Sequence, residues 1–156
     1  MELSGECAHL AVAAQGKALY IDQVESPQSL RVNTEVGFTA PLHCTALGKV
    51  LMAWNACEPP IDLERFTPRT IVDPGRMRLE LEKTRSLGYA MDNEEFTHGV
   101  RCIAAPIIDF RGKAIGALGI SGPAARITIE HMPEMAKRVT DVAQALSDRM
   151  SFIKQE

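Results

Sequence analysis

Arg101-Cys102-Ile103-Ala104-Ala105-Pro106-Ile107-Ile108, the turn Asp109-Phe110-Arg111-Gly112 and Lys113-Ala114-Ile115-Gly116-Ala117-Leu118-Gly119-Ile120-Ser121 are the stretch on which the fold turns. Two apolar, β-compatible runs around a polar turn spell an antiparallel hairpin, predicted to be the centre of a sheet. Pro106 has no N–H to give a ladder, so it demands a bulge or an unpaired edge. Gly116 and Gly119 mark either a bulge or a close approach by a ligand or another backbone. For Gly116 the bulge, or a helix crossing tightly over the sheet, is the simpler reading. Gly119 lies two residues before Ser121, so both face one side of the strand, and a small residue beside a hydroxyl offers room and a polar handle. Cys102 shares its face with Ala104, the expected core side, where a lone cysteine usually acts as a small hydrophobe.

Upstream of the hairpin, Asp73-Pro74 supplies an N-cap and a proline at the first helical position, and Gly88 supplies the stop. The helix between them carries Met77 and Leu81 on one face and a charged, solvated surround. Tyr89-Ala90-Met91-Asp92 is a further strand running into the acidic loop Asn93-Glu94-Glu95, which Asp92 is placed to cap through its side chain. Nearer the start, His9 to Ala14 and Ala18 to Val24 form a hairpin about Gln15-Gly16. Leu30-Arg31-Val32-Asn33 reads as a short third strand. From the N-cap Thr45, Leu47, Val50, Leu51 and Trp54 recur at helical spacing. Met132, Met135, Ala136, Val139, Val142, Ala143, Leu146 and Met150 trace a last helix, its stripe a core face or a helix–helix seam. Hairpin, helix, helix, hairpin, helix is an α+β order with an antiparallel sheet, and no βαβ unit appears.

At 156 residues the chain is the size of one domain, and its 24% charged and 46% apolar residues are those of a globular protein. The net charge of −3 lacks the basic footprint of a duplex-DNA binder. Met1 to Glu6 has no basic or apolar leader pattern, and no run of about 18 apolar residues occurs, so the expected location is the cytoplasm and no membrane partner is expected.

Catalytic motifs are missing: there is no phosphate loop, no H-E-x-x-H and no G-x-S-x-G. No cofactor is called for. Cys7, Cys44, Cys57 and Cys102 stand far apart without a C-x-x-C, and free thiols are expected. Of the four histidines only His43 neighbours another reactive side chain, Cys44. Adjacent residues usually point apart, so this pair is assigned to packing and helix entry.

Three segments carry a resemblance. Pro41-Leu42-His43-Cys44-Thr45-Ala46-Leu47-Gly48-Lys49, then Gly88-Tyr89-Ala90-Met91-Asp92-Asn93-Glu94-Glu95-Phe96 with Gly99-Val100-Arg101-Cys102-Ile103-Ala104-Ala105-Pro106, and finally Ser121-Gly122-Pro123 resemble the signature of IclR-type bacterial transcription regulators. The match covers nearly the whole chain and is to that family's C-terminal effector-binding domain. It implies a GAF-like fold, with a six-stranded antiparallel sheet and helices packed against it, that senses a small organic acid. A winged helix-turn-helix domain, absent from this sequence, would bind operator DNA, and a homodimer or homotetramer is expected.

Carried over from members that bind small oxo-acids, the effector would be held by the amides of Ala46 and Leu47, by Asp92, Cys102 and Ser121. Val32, Ala40 and Val100 would form an apolar wall. Gly119 stands where those members have a first serine. That departure implies a larger or more aromatic acid. Two other readings remain open on the same residues: a GAF-like sulfoxide-reductase chemistry with Cys102 as nucleophile and Cys44 resolving it, and a metal held adventitiously by Cys102, Asp92 and His43.

Overall fold

The computed structural model describes residues 5–32 and 34–153. Its elements are β1 (Cys7–Ala14), β2 (Lys17–Val24), β3 (Thr39–Ala40), α1 (Ala46–Ala53), α2 (Pro74–Leu87), β4 (Ala90–Asn93), β5 (Val100–Ile108), β6 (Ala114–Pro123) and α3 (Met132–Ile153). The strands form one antiparallel six-stranded sheet in the order β3-β2-β1-β6-β5-β4. The expected hairpins form around Gln15-Gly16 and Asp109 to Gly112. The β5–β6 hairpin is nevertheless one strand off centre: the middle of the sheet is β1 against β6, with Cys7 opposite Ser121 and His9 opposite Gly119. Pairing of β4 with β5 ends at Ala104, and the β5–β6 register shifts between Ile107 and Ile108. Pro106 lies between those two interruptions, where a missing N–H is tolerated.

The helices begin and end where their caps place them. Thr45 Oγ1 accepts from Gly48 N, Asp73 Oδ2 accepts from Arg76 N, and Gly88 closes α2 through Thr84 O. Alternation along each strand then builds two cores, one per sheet face. On one face Ala11, Ala18, Ala40, Ala90, Ala104 and Ala117 form a floor of methyl groups beneath α1 and α2. On the other, Ala8, Ile103, Ala105 and Ile120 meet Met132, Ala136, Val139 and Ala143 of α3. The stripe read from the sequence is wider than this packed face, since Val142 and Met150 remain 41% and 43% exposed.

The expected third strand at Leu30-Arg31-Val32-Asn33 is not formed: Leu30 to Val32 lie outside any strand, and Asn33 lies outside the described residues. The third strand is instead Thr39–Ala40. Side-chain bonds to the backbone hold the connecting segment: Cys7 Sγ donates to Val32 O at 3.2 Å, and Arg126, which also grips Glu6, donates to Leu30 O at 2.6 Å. These tertiary partners are remote in sequence, so a β-compatible local run is overridden.

Candidate functional site

Helix α1 starts over the alanine floor, and the small residues beneath it let it lie close to the sheet. Thr45 ties its entry, donating to Pro41 O at 2.6 Å while accepting from Gly48 N at 3.1 Å. By helix geometry the N–H groups of Ala46 and Leu47 have no partner within the helix. Gly48 has a steric reason, because a Cβ there would run into the backbone of Leu42. One turn on, Lys49 is wholly buried. Its Nζ donates to Glu95 Oε1 and Oε2 at 2.7 and 2.9 Å, to Met91 O at 2.8 Å and to Glu80 Oε1 at 3.1 Å. Glu95 in turn accepts from Asn93 N at 2.9 Å, and Thr70 donates to Glu95 O at 2.6 Å. The loop after β4 is thus tied to α1 through a buried ion pair.

That loop and the strands beside it set a polar row across the sheet. Asp92 stands opposite Cys102, and Cys102 opposite Ser121. The Cys102 thiol donates to Ser121 Oγ at 3.1 Å, and Asp92 Oδ1 accepts from Glu95 N at 2.8 Å, the loop cap read from the sequence. Burial pushes the Asp92 carboxyl up to about 7, so near neutrality it exists in both protonation states. Burial, and then the Asp92 charge, push the Cys102 thiol well above its usual value. A cysteine nucleophile needs the opposite shift. Burial likewise raises Cys44, to about 12.

The α1 entry, this row and the segment before β3 enclose a cavity of about 860 Å³. Of the expected site residues, Val32, Ala46, Leu47, Asp92, Val100, Cys102, Gly119 and Ser121 line it. Ala40 does not: it pairs with Ala18 and is buried in the core, while Val36 and Phe38 take the wall. Gly119 needs a second correction. A Cβ there would lie 2.8 Å from Ile103 O and 3.2 Å from Leu47 Cδ2, so the absent side chain makes way for the backbone of β5 and for α1 rather than opening free space. His43 is turned away, its Nε2–H donating to Glu64 O at 2.8 Å, and does not join Asp92 and Cys102. Among the described residues no three His, Cys, Asp or Glu side chains gather as metal ligands.

The sequence reading passed over His9, Tyr20 and Phe96, which also line the cavity. Strand alternation from Cys7 through His9 to Ala11 is the signal that puts His9 on the same face as Gly119. It also passed over Lys49, whose acidic partners Glu80 and Glu95 lie far along the sequence.

The family described as bacterial transcriptional regulator IclR C-terminal matches residues 1–148. The chain belongs to the IclR family. It is 36% identical over 160 residues to the HTH-type transcriptional regulator BhcR of Paracoccus denitrificans, a match covering 97% of this chain and 56% of that protein. The chain therefore spans little more than half the length of that relative. The crystal structure of the Thermotoga maritima IclR superposes with a TM-score of 0.87 at 34% identity, covering 96% of this chain and 63% of that one. The fold is shared, at 23% identity and a TM-score of 0.82, by a double mutant of the PobR inducer-binding domain from Acinetobacter, solved with 3-hydroxybenzoic acid and matched over 94% of this chain and 90% of that one. The family reading of the three sequence segments stands.

Proposed function

We propose that this chain is the effector-binding part of a transcriptional regulator and that its cavity takes a small organic acid. The observation that carries the reading is convergence: the free amides of Ala46 and Leu47, the Asp92–Cys102–Ser121 row and an apolar wall of Val32, Phe38 and Val100 all face one cavity. Helix N-termini favour anions through their unpaired N–H groups and the dipole. A carboxylate would otherwise be repelled by Asp92, but a carboxyl that protonates near pH 7 can donate to it. The volume lies in the range of sites for multi-carbon ligands and supports an acid larger than a two-carbon oxo-acid. The 3-hydroxybenzoic acid held by the PobR domain is an acid of that size class in the same fold.

An enzyme is not favoured, because the thiol that would attack is held protonated by burial beside a carboxylate. In this reading operator DNA is contacted by a helix-turn-helix domain outside the present sequence, the protein works in the cytoplasm, and two or four copies assemble. Val142 and Met150 on the outward side of α3 are apolar surface available for that assembly. No helix among the described residues is long and apolar enough to cross a membrane. Native mass spectrometry of freshly purified protein tests both points: the expected result is an oligomer carrying a small-acid mass lost on gentle denaturation. A chain that carries no acid and gains no thermal stability from any of a broad panel of aliphatic and aromatic acids would refute the sensor reading.

A further inference from the structure

Tyr20 stands on the sheet face that carries the alanine floor, two residues after Ala18 and opposite Ala11 in the β1–β2 ladder. Its backbone is pinned to the segment before β3: Tyr20 N donates to Phe38 O at 2.9 Å, and Tyr20 O accepts from Gly37 N at 2.8 Å. Two rings hold its own ring, His9 at 5.1 Å between centroids and Phe38 edge-on at 5.4 Å. The residue is only 7% exposed and lines the cavity. Buried polar groups are nearly always paired, yet among the described residues the Tyr20 hydroxyl has no hydrogen-bond partner. It differs in kind from His9 Nε2, which is also unpaired but sealed from solvent. The Tyr20 hydroxyl keeps accessible surface, and the cavity that its side chain lines is where that surface opens.

The phenol lies within electrostatic reach of Cys102 and Asp92 in the polar row and of Cys44 at the entry to α1; burial first, and then these groups, hold its proton on well above the usual phenol range. Its O–H is therefore a permanent donor at physiological pH. The row is bonded within itself and to its loop, with Cys102 donating to Ser121 and Asp92 accepting from Glu95 N, so the Tyr20 proton is left for an acceptor that enters the cavity. We propose that Tyr20 is an effector-recognition residue whose O–H donates a hydrogen bond to the carboxylate of the bound acid, adding a donor from β2 to the amides at the start of α1. The inference rests on the acid-binding reading above and adds a residue to its site. A ring already fixed by His9 and Phe38 has little freedom left to lose when the bond forms.

Calorimetric titration of benzoate, 3-hydroxybenzoate, butyrate and 2-oxobutyrate into the purified chain, Tyr20→Phe and Tyr89→Phe tests it. Tyr89 packs on the α3 side of the sheet and is the control. The tightest-binding of these acids should lose about tenfold or more in affinity in Tyr20→Phe, the loss expected for a hydrogen bond to a charged group, and stay within about threefold in Tyr89→Phe. Because the hydroxyl is bonded to nothing in the fold, the ligand-free Tyr20→Phe protein should melt within about 2 °C of the parent, which a structural role would not allow. Tyrosine ¹³Cζ spectra of the unsubstituted chain supply a readout that needs no variant at the site: the Tyr20 resonance, assigned by its absence in Tyr20→Phe, should move downfield toward the phenolate value when the acid binds, and the Tyr89 resonance should not. An affinity within about threefold of the parent in Tyr20→Phe, a Tyr20 resonance that does not move, or a ligand-free variant that melts several degrees lower overturns the assignment and leaves acid binding intact. Failure of all four acids, and of a broader acid panel, to bind the unsubstituted chain removes the acid-binding reading itself, and this inference with it.

Discussion

Two buried titratable side chains pull stability in opposite directions with pH. Burial lowers His9 from 6.5 to about 4, so between those values the unfolded chain holds a proton that the folded chain refuses, and stability rises with pH. Asp92 is raised from 3.8 to about 7; across that window the folded chain holds the extra proton, and stability falls as pH rises. Each slope is on the order of 1 kcal/mol per pH unit, so the two nearly cancel from about pH 4 to 6.5. Urea denaturation at pH 4.5, 5.5 and 6.5 should therefore show stability falling with pH in His9→Phe and rising with pH in Asp92→Asn. Parallel profiles for these two variants and the unsubstituted chain would show that neither group is perturbed as described. At Cys102 the raised thiol predicts alkylation by iodoacetamide at neutral pH slower than that of a free cysteine; mass-resolved labelling that finds it the fastest of the four thiols would revive the nucleophile reading. The Asp92 loop cap was legible as a residue type followed by an acidic loop. The orphaned His9 was not, because pairing depends on which atoms the fold brings near it.

At the scale of elements, α1 depends on a lysine that sequence patterns treat as surface. Removing one partner of a buried ion pair leaves the other charge stranded, at about 3–5 kcal/mol. Lys49→Met is thus expected to lower Tm on the order of 10 °C, given about 2–4 °C per kcal/mol at this chain length. A Tm within about 2 °C of the parent in a thermal melt would mean that Glu95 and Glu80 do not depend on Lys49. Gly119→Ser is expected to destabilise by about 1–3 kcal/mol, because the strand or Leu47 must shift to admit a Cβ, and to create no tighter oxo-acid site. Equal stability together with improved glyoxylate or pyruvate binding would restore the reading of Gly119 as open space. Helix boundaries were legible here because Thr45, Asp73-Pro74 and Gly88 are local signals that the backbone obeys. The short strand was misplaced to Leu30–Asn33 because Thr39–Ala40 becomes a strand only through its two pairings with β2.

For the whole molecule, the α+β class followed from element order, whereas the junction of β1 with β6 joins the first strand to the last and has no local signature. The distribution of helices is similarly tertiary: alanines on one sheet face admit α1 and its cavity, while larger side chains on the other meet α3. With a net charge of −3, the chain alone is expected to give no sequence-specific shift with duplex DNA in a low-salt gel assay, and a shift that resists competitor DNA would place operator recognition inside it. The central claim is that an acid binds where α1 meets the Asp92–Cys102–Ser121 row. Its most direct test is calorimetric titration of the tightest-binding acid into the unsubstituted chain and into Ser121→Ala/Cys102→Leu, with circular dichroism confirming that the double variant is folded. The account predicts a loss of affinity of about tenfold or more in the double variant; an unchanged affinity would contradict it and put the site elsewhere.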